Sequence, residues 1–149
     1  QMPCRSLLQV PLIVAEPGVT PGVVDQVCSN VDLMPTLLAA CGLEVPDTVQ
    51  GVVLPRPGQA PKRDYAFEAG WSKASPQWHH YTIYKRDWRL SVFPNLRDGE
   101  LYDLRQDPFE HVTLYHDPGY RTRRRELMEE LLFAVGAAEP PQPPVVTDW

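Results

Sequence analysis

Long apolar runs are missing from this 149-residue sequence, and no stretch approaches the ~20 residues that a membrane-crossing helix needs. Basic charge is also short. Lys and Arg number 14 against 19 Asp and Glu, a net charge of −5, so neither nucleic acid nor an anionic membrane is an expected partner. Cysteine is scarce: the three are Cys4, Cys28 and Cys41, with no CxxC spacing, so neither a disulfide framework nor a zinc ribbon is readable. Buried or idle thiols are expected. No HExxH, P-loop, GxGxxG or GxSxG occurs, so the common signatures of zinc proteases, nucleotide binders and serine hydrolases are absent. Residues 1–6 show no basic-then-apolar leader pattern.

Proline, by contrast, is plentiful. The chain has 17, about twice the usual share of ~5%, while its 9 glycines are ordinary. The length suits one domain with a real core and is too short for a two-domain enzyme of the common sort. Proline placement divides it into a loop-rich part over 1–61, a more regular part over 62–139, and a tail over 140–149. In that tail Pro140, Pro141, Pro143 and Pro144 predict an extended chain.

Hydrophobic patterning predicts the elements. Leu12, Ile13, Val14 and Ala15 form a continuous apolar run closed by Pro17 and Gly18, the pattern of a strand buried on both faces. A helix is predicted from Val31 to Gly42, with Leu33, Leu37, Leu38 and Cys41 on one face. Asp32 is its expected N-cap, which places Pro35 in the first turn, and Gly42 suits the C′ position. Strand alternation follows at Tyr65, Phe67, Ala69, then Tyr81, Ile83, then Trp88, Leu90, Val92, with Arg86 and Asp87 at a turn. A fourth strand is predicted over Glu100 to Leu104 after a turn at Asp98 and Gly99. A last helix, capped by Asp117 with Pro118 first, carries Tyr120, Leu127, Met128, Leu131, Leu132 and Val135 inward and ends at Gly136.

Candidate chemistry is sparse. His79 and His80 are adjacent and would face opposite ways on a strand, and His111 and His116 lie in a loop, so no histidine metal site is predicted. Asp103, Asp107, Glu110 and Asp117 read as turn and cap residues, since Asp precedes Pro at both Asp107 and Asp117. Arg121, Arg123, Arg124 and Arg125 could meet an anion, but an Arg125–Glu129 pair at i, i+4 favours a solvated charged face. Trp71, Trp78, His79, His80 and Tyr81 could rim a pocket for a sugar-like ring, or be half-buried strand aromatics.

Two segments carry a resemblance. Val10 to Val14, Pro17, Gly18, then Val31, Asp32, Leu33, Met34, Pro35, Thr36, Leu37, Leu38 and Gly42 resemble the stretch that follows the catalytic residues in sulfatases of the alkaline phosphatase superfamily. Gly51 to Leu54 is similar to the family's Gly-x-Ser-Leu, with Val53 in place of Ser. Further on, Glu100, Leu101, Tyr102, Asp103, Leu104, then Asp107, Pro108, Glu110 and Leu114 resemble its Glu-Leu-Tyr-Asp-Leu, Asp-Pro-x-Glu and Asn-Leu signature, with Thr113 in place of Asn.

The resemblance implies an α/β, alkaline phosphatase-like fold fragment: the edge of a central sheet, then a C-terminal subdomain of antiparallel sheet packed on a helix. It implies calcium and a formylglycine nucleophile in the complete family, but none of the residues that supply them can be matched here. Cys4 is followed by Arg5, Ser6 and Leu7 rather than by the Cys-x-Pro-Ser-Arg context. No catalytic residue, metal ligand or cofactor is therefore assigned to this chain, and the chain alone is expected to be inactive. Its expected partner is an N-terminal catalytic part or a second copy, and a sulfate ester is the implied small molecule. Trp78, His79 and His80 are the candidate substrate contacts, chosen by position. The alternatives are a phosphate or phosphonate ester hydrolase of the same superfamily, and a non-catalytic interaction module with the 12–15 strand as docking edge.

Overall fold

The computed structural model describes residues 4–71 and 76–138. The predicted proline-rich tail over 140–149 lies outside them. After a short helix α1 (Arg5–Leu8), the chain runs without a strand to residue 64. The buried strand expected over 12–15 does not form: Ile13 is 92% exposed, and no described strand pairs with this segment. An apolar run becomes a strand only where a sheet edge receives its backbone groups.

A 3₁₀ turn (Asn30–Asp32) leads directly into α2 (Leu33–Ala40). The cap is Ser29 rather than Asp32, because Ser29 and Asp32 form a reciprocal capping box and Asp32 is already helical at φ −79°. Pro35 is buried in the first turn, as its missing N–H permits. Gly42 ends the helix at φ +69°. The expected apolar face is split, with Leu37 61% exposed and Cys41 also at the surface.

The rest is one antiparallel sheet of β1 (Tyr65–Gly70), β2 (His80–Lys85), β3 (Trp88–Phe93) and β4 (Asp98–Asp103), in that spatial order. Ile83 sits opposite Phe67 and Leu90, and Leu90 opposite Leu101. This face is covered by α3 (Arg121–Ala138), whose Leu127 and Leu131 complete a core with Ile83, Leu90 and Leu101. Each such side chain contributes about 1.5–3 kcal/mol on burial.

Four local expectations are corrected. The β3–β4 turn is Pro94–Leu96 with Arg97 left-handed at φ +52°, not Asp98–Gly99. Gly99 lies inside the strand, where a β-carbon would stand 2.4 Å from the Tyr115 ring, so it serves close packing rather than turning. Asp117 caps a 3₁₀ turn (Pro118–Tyr120) through Gly119 N–H at 2.8 Å, and α3 begins one residue later. Gly136 does not end α3, which continues to Ala138. Met128 and Leu132, expected inside, are exposed, while Ala134 is buried.

Candidate functional site

The sheet has a second face, and it is polar. Strand alternation that sends Ile83, Leu90 and Leu101 toward α3 sends Thr82, Tyr84, Arg89, Ser91, Glu100 and Tyr102 the other way. Arg89 is 1% exposed there. Its Nε donates to Glu110 at 2.8 Å, Nη2 to Glu100 at 2.9 Å and Nη1 to Ser91 Oγ at 2.6 Å, while the guanidinium lies 4.5 Å from the Tyr102 ring centre. Ser91 in turn is 2.8 Å from Thr82 Oγ1. Glu110 is left-handed at φ +59°, and its second oxygen accepts the Arg5 N–H at 2.9 Å. All three guanidinium nitrogens are thus engaged, which is what a buried cation requires. Burial pushes the Tyr84 phenol well above its ordinary range, with Arg89 pulling it down and Glu110 pushing it up.

At one end of the sheet, the turn Pro76–Trp78 lies beside the turn Pro94–Leu96, held by Asn95 Nδ2 donating to the Pro76 carbonyl at 2.7 Å. Trp78 meets Phe93 edge-on at 6.1 Å, and His79 meets Tyr81 at 4.9 Å. Both are half-buried. His80 is buried behind them, its nitrogens facing the Trp78 carbonyl and Glu68. The three candidate contacts are therefore contiguous, with Trp71 62% exposed nearby in sequence. Residues 72–75 lie outside the described set. Two surface cavities, of about 270 and 230 Å³, lie elsewhere: one beside Thr36, Arg56 and Lys62, the other beside Asp103, Asp107 and His111.

The remaining candidates fall into structural roles. Asp103 is buried; burial pushes its pKa up, but hydrogen bonds from Arg105, Gln106 and the Arg105 backbone outweigh this and hold the carboxyl below its ordinary range. Asp107 accepts the Val112 N–H at 2.9 Å. His116 pairs with Asp98 at 2.8 Å, and His111 is exposed. Arg125 reaches Glu129 at 4.0 Å as expected, but Arg123 stacks over Trp88 at 5.1 Å and Arg124 over Tyr115 at 4.8 Å, so only part of the basic cluster is solvated. Cys28 and Cys41 are exposed rather than buried, and no described cysteines are bridged.

Within each of the resembling segments, buried polar groups fix the backbone. Asp32, fully buried, accepts from Ser29 N–H at 2.8 Å and Val52 N–H at 2.9 Å and pairs with Arg63 at 3.0 Å. Thr36 accepts from Leu54 N–H at 2.9 Å and donates to the Asp32 carbonyl. Gly51 passes so close that a β-carbon would stand 2.0 Å from the Val31 carbonyl oxygen. In the second segment Thr113, standing where Asn is usual, accepts the Leu101 N–H at 3.1 Å.

The family model for the C-terminal part of N-sulphoglucosamine sulphohydrolase matches residues 4–135. The chain belongs to this family. It is a sulfatase C-terminal domain of the alkaline phosphatase superfamily. It is 33% identical over 141 residues to an N-acetylglucosamine-6-O-sulfatase of Bacteroides thetaiotaomicron, covering 83% of this chain and 24% of that protein. A protein solved with its substrate D-glucosamine-2-N,6-O-disulfate matches at 30% identity and TM-score 0.65, covering 73% of this chain and 24% of that one. A phosphonate monoester hydrolase of Agrobacterium radiobacter matches at 27% identity and TM-score 0.64, covering 76% and 26%. The chain thus spans about a quarter of these relatives.

In this sulfatase C-terminal domain, no three of His, Cys, Asp and Glu converge among the described residues. Asp32, Asp103 and Glu110 are all engaged by N–H donors. The calcium cage implied by the family does not fit these residues, and no chemical step is derived through it. The Arg89 cluster is what pattern reading misses, because attention to the apolar phase of each strand passes over the polar phase. The signal was present as Arg89 between Tyr84 and Tyr102, with Glu100 two residues from Tyr102.

Proposed function

We propose that this chain is the C-terminal portion, with subdomain boundaries near 61 and 139, of a hydrolase that cleaves sulfate esters of amino sugars. Within it, the sheet end carrying Trp78 and His79 faces the sugar, and His80 holds that edge from behind. The match over residues 4–135 carries the reading, and the glucosamine-based relatives support the substrate class. Half-buried aromatic rings at a sheet end offer a stacking surface for a pyranose, with the His79 imidazole for hydroxyl or sulfate oxygens. Calcium and formylglycine, in this reading, act from residues outside this chain, in the N-terminal part that is its partner.

Exchange tests the reading. A chimera in which this chain replaces the C-terminal quarter of the Bacteroides sulfatase is expected to hydrolyse N-acetylglucosamine-6-sulfate. The chain alone is expected to show no turnover of 4-nitrophenyl sulfate. In the chimera, Trp78→Ala and His79→Ala should raise KM more than they lower kcat. An unchanged KM in both removes the sheet end from the substrate site. The phosphonate hydrolase neighbour favours a second reading, in which activity appears only in the corresponding chimera built on that enzyme.

A further inference from the structure

His80 opens β2 opposite Gly70 of β1, and its side chain is 6% exposed. The ring lies over the glycine so closely that a β-carbon there would stand 2.1 Å from His80 Cε1. Both nitrogens are engaged. Nδ1 is 2.9 Å from the Trp78 carbonyl oxygen, and Nε2 is 2.8 Å from Glu68 Oε2. A carbonyl oxygen can only accept, and so can an ionised carboxylate. A neutral imidazole has one N–H and cannot donate to both.

We propose that His80 is an imidazolium in this arrangement, a proton-dependent clasp between Glu68 and the Trp78 carbonyl that positions Trp78 and His79 at the sheet end. Hydrogen bonds with a charged donor are stronger than neutral ones and matter most where water is excluded. Removing the proton turns one nitrogen's lone pair toward an oxygen, whichever nitrogen loses it. One of the two contacts must then open.

The surroundings leave Glu68 as the counter-charge. On β3 the ring meets Phe93 at 6.0 Å; beyond it Arg89 is committed to Glu100 and Glu110. On β4, Asp98 pairs with His116. On β2 the next side chain of this face is Thr82, bonded to Ser91, and then Tyr84. His79 turns instead to Tyr81. If the sugar reading above holds, the clasp sets the rings that face the sugar, but the proton count stands without that reading.

The test uses the ¹⁵N-labelled 149-residue chain and long-range spectra of the histidine ring nitrogens at about pH 7, within the range where histidine changes charge. Hydrogen on both nitrogens of His80 is expected. Raising the pH until one is lost should shift the Trp78 indole resonance in step. Glu68→Gln should give a ring with one hydrogen, on Nδ1, because the amide NH₂ can donate to Nε2, with the Trp78 resonance close to its original position. A single ring hydrogen in the unmodified chain, a Trp78 resonance indifferent to His80, or both nitrogens protonated in E68Q overturns the proposal. Since these readouts need no turnover, a failed chimera leaves them intact.

Discussion

The carboxylate of Asp32 accepts the backbone N–H of Val52 at 2.9 Å, tying the start of α2 to a loop 20 residues further on. Thr36, one turn along, repeats the tie to Leu54. Asp32 and Thr36 therefore act as a two-point backbone clamp, and the match of this stretch to the family is a match of architecture.

Asp32→Ala leaves Ser29, Val52 and the largely buried Arg63 without their acceptor. Removing one partner of a buried ion pair costs about 3–5 kcal/mol. Asp32→Asn keeps one accepting oxygen and should lose roughly half as much. Urea denaturation of the two variants should rank wild type above Asn and Asn above Ala; equal midpoints for all three would remove the clamp.

Two glycines should respond with opposite signs. Gly51→Ala drives a methyl into the Val31 carbonyl oxygen and is expected to cost about 1–3 kcal/mol or more. Gly136→Ala has open space within α3 and should gain about 0.5–1 kcal/mol. Thermal midpoints moving in opposite directions are the check.

Arg89→Met leaves Glu100 and Glu110 facing each other without their shared cation, and a loss of about 3–5 kcal/mol is expected. Arg89→Lys keeps the charge but not the fork, so its stability should fall between the two. If the sheet tolerates Met as well as Lys, the cluster is not what holds this face.

Asp103 sets an acid limit. Its carboxyl is held below the ordinary range by Arg105 and Gln106 against the opposing effect of burial. A depressed folded value means the stabilisation is full above the unfolded value of ~3.9 and is lost as pH falls through the folded value. Asp103→Asn should therefore be less stable than wild type at neutral pH, and the gap should narrow on acidification below about pH 4. A constant gap across the acid range would refute the assignment.

The existence of the meander and of the long helix was legible because their core side chains repeat a simple period. Phe67, Ile83, Leu90 and Leu101 mark the sheet, and Leu127 and Leu131 mark the helix face. What was not legible depends on a partner far away in sequence. Leu12 to Ala15 looks like a strand, yet strandhood needs a neighbour. Gly99 looks like a turn residue, yet Tyr115 requires its missing side chain, and Arg97 takes the left-handed position instead. At the candidate site the sequence picked out Trp78, His79 and His80 as a group. The Glu68 and Gly70 that fix His80 emerge only from strand register.

The bond from the Arg5 N–H to Glu110 spans 105 residues. During synthesis, which proceeds from the N-terminus, the first helix cannot find this acceptor until most of the polypeptide has left the ribosome. Such a distant closure comes late and slows assembly. Residues 5–8 must therefore wait, and chain growth itself sets when Glu110 can join Arg5 to Arg89.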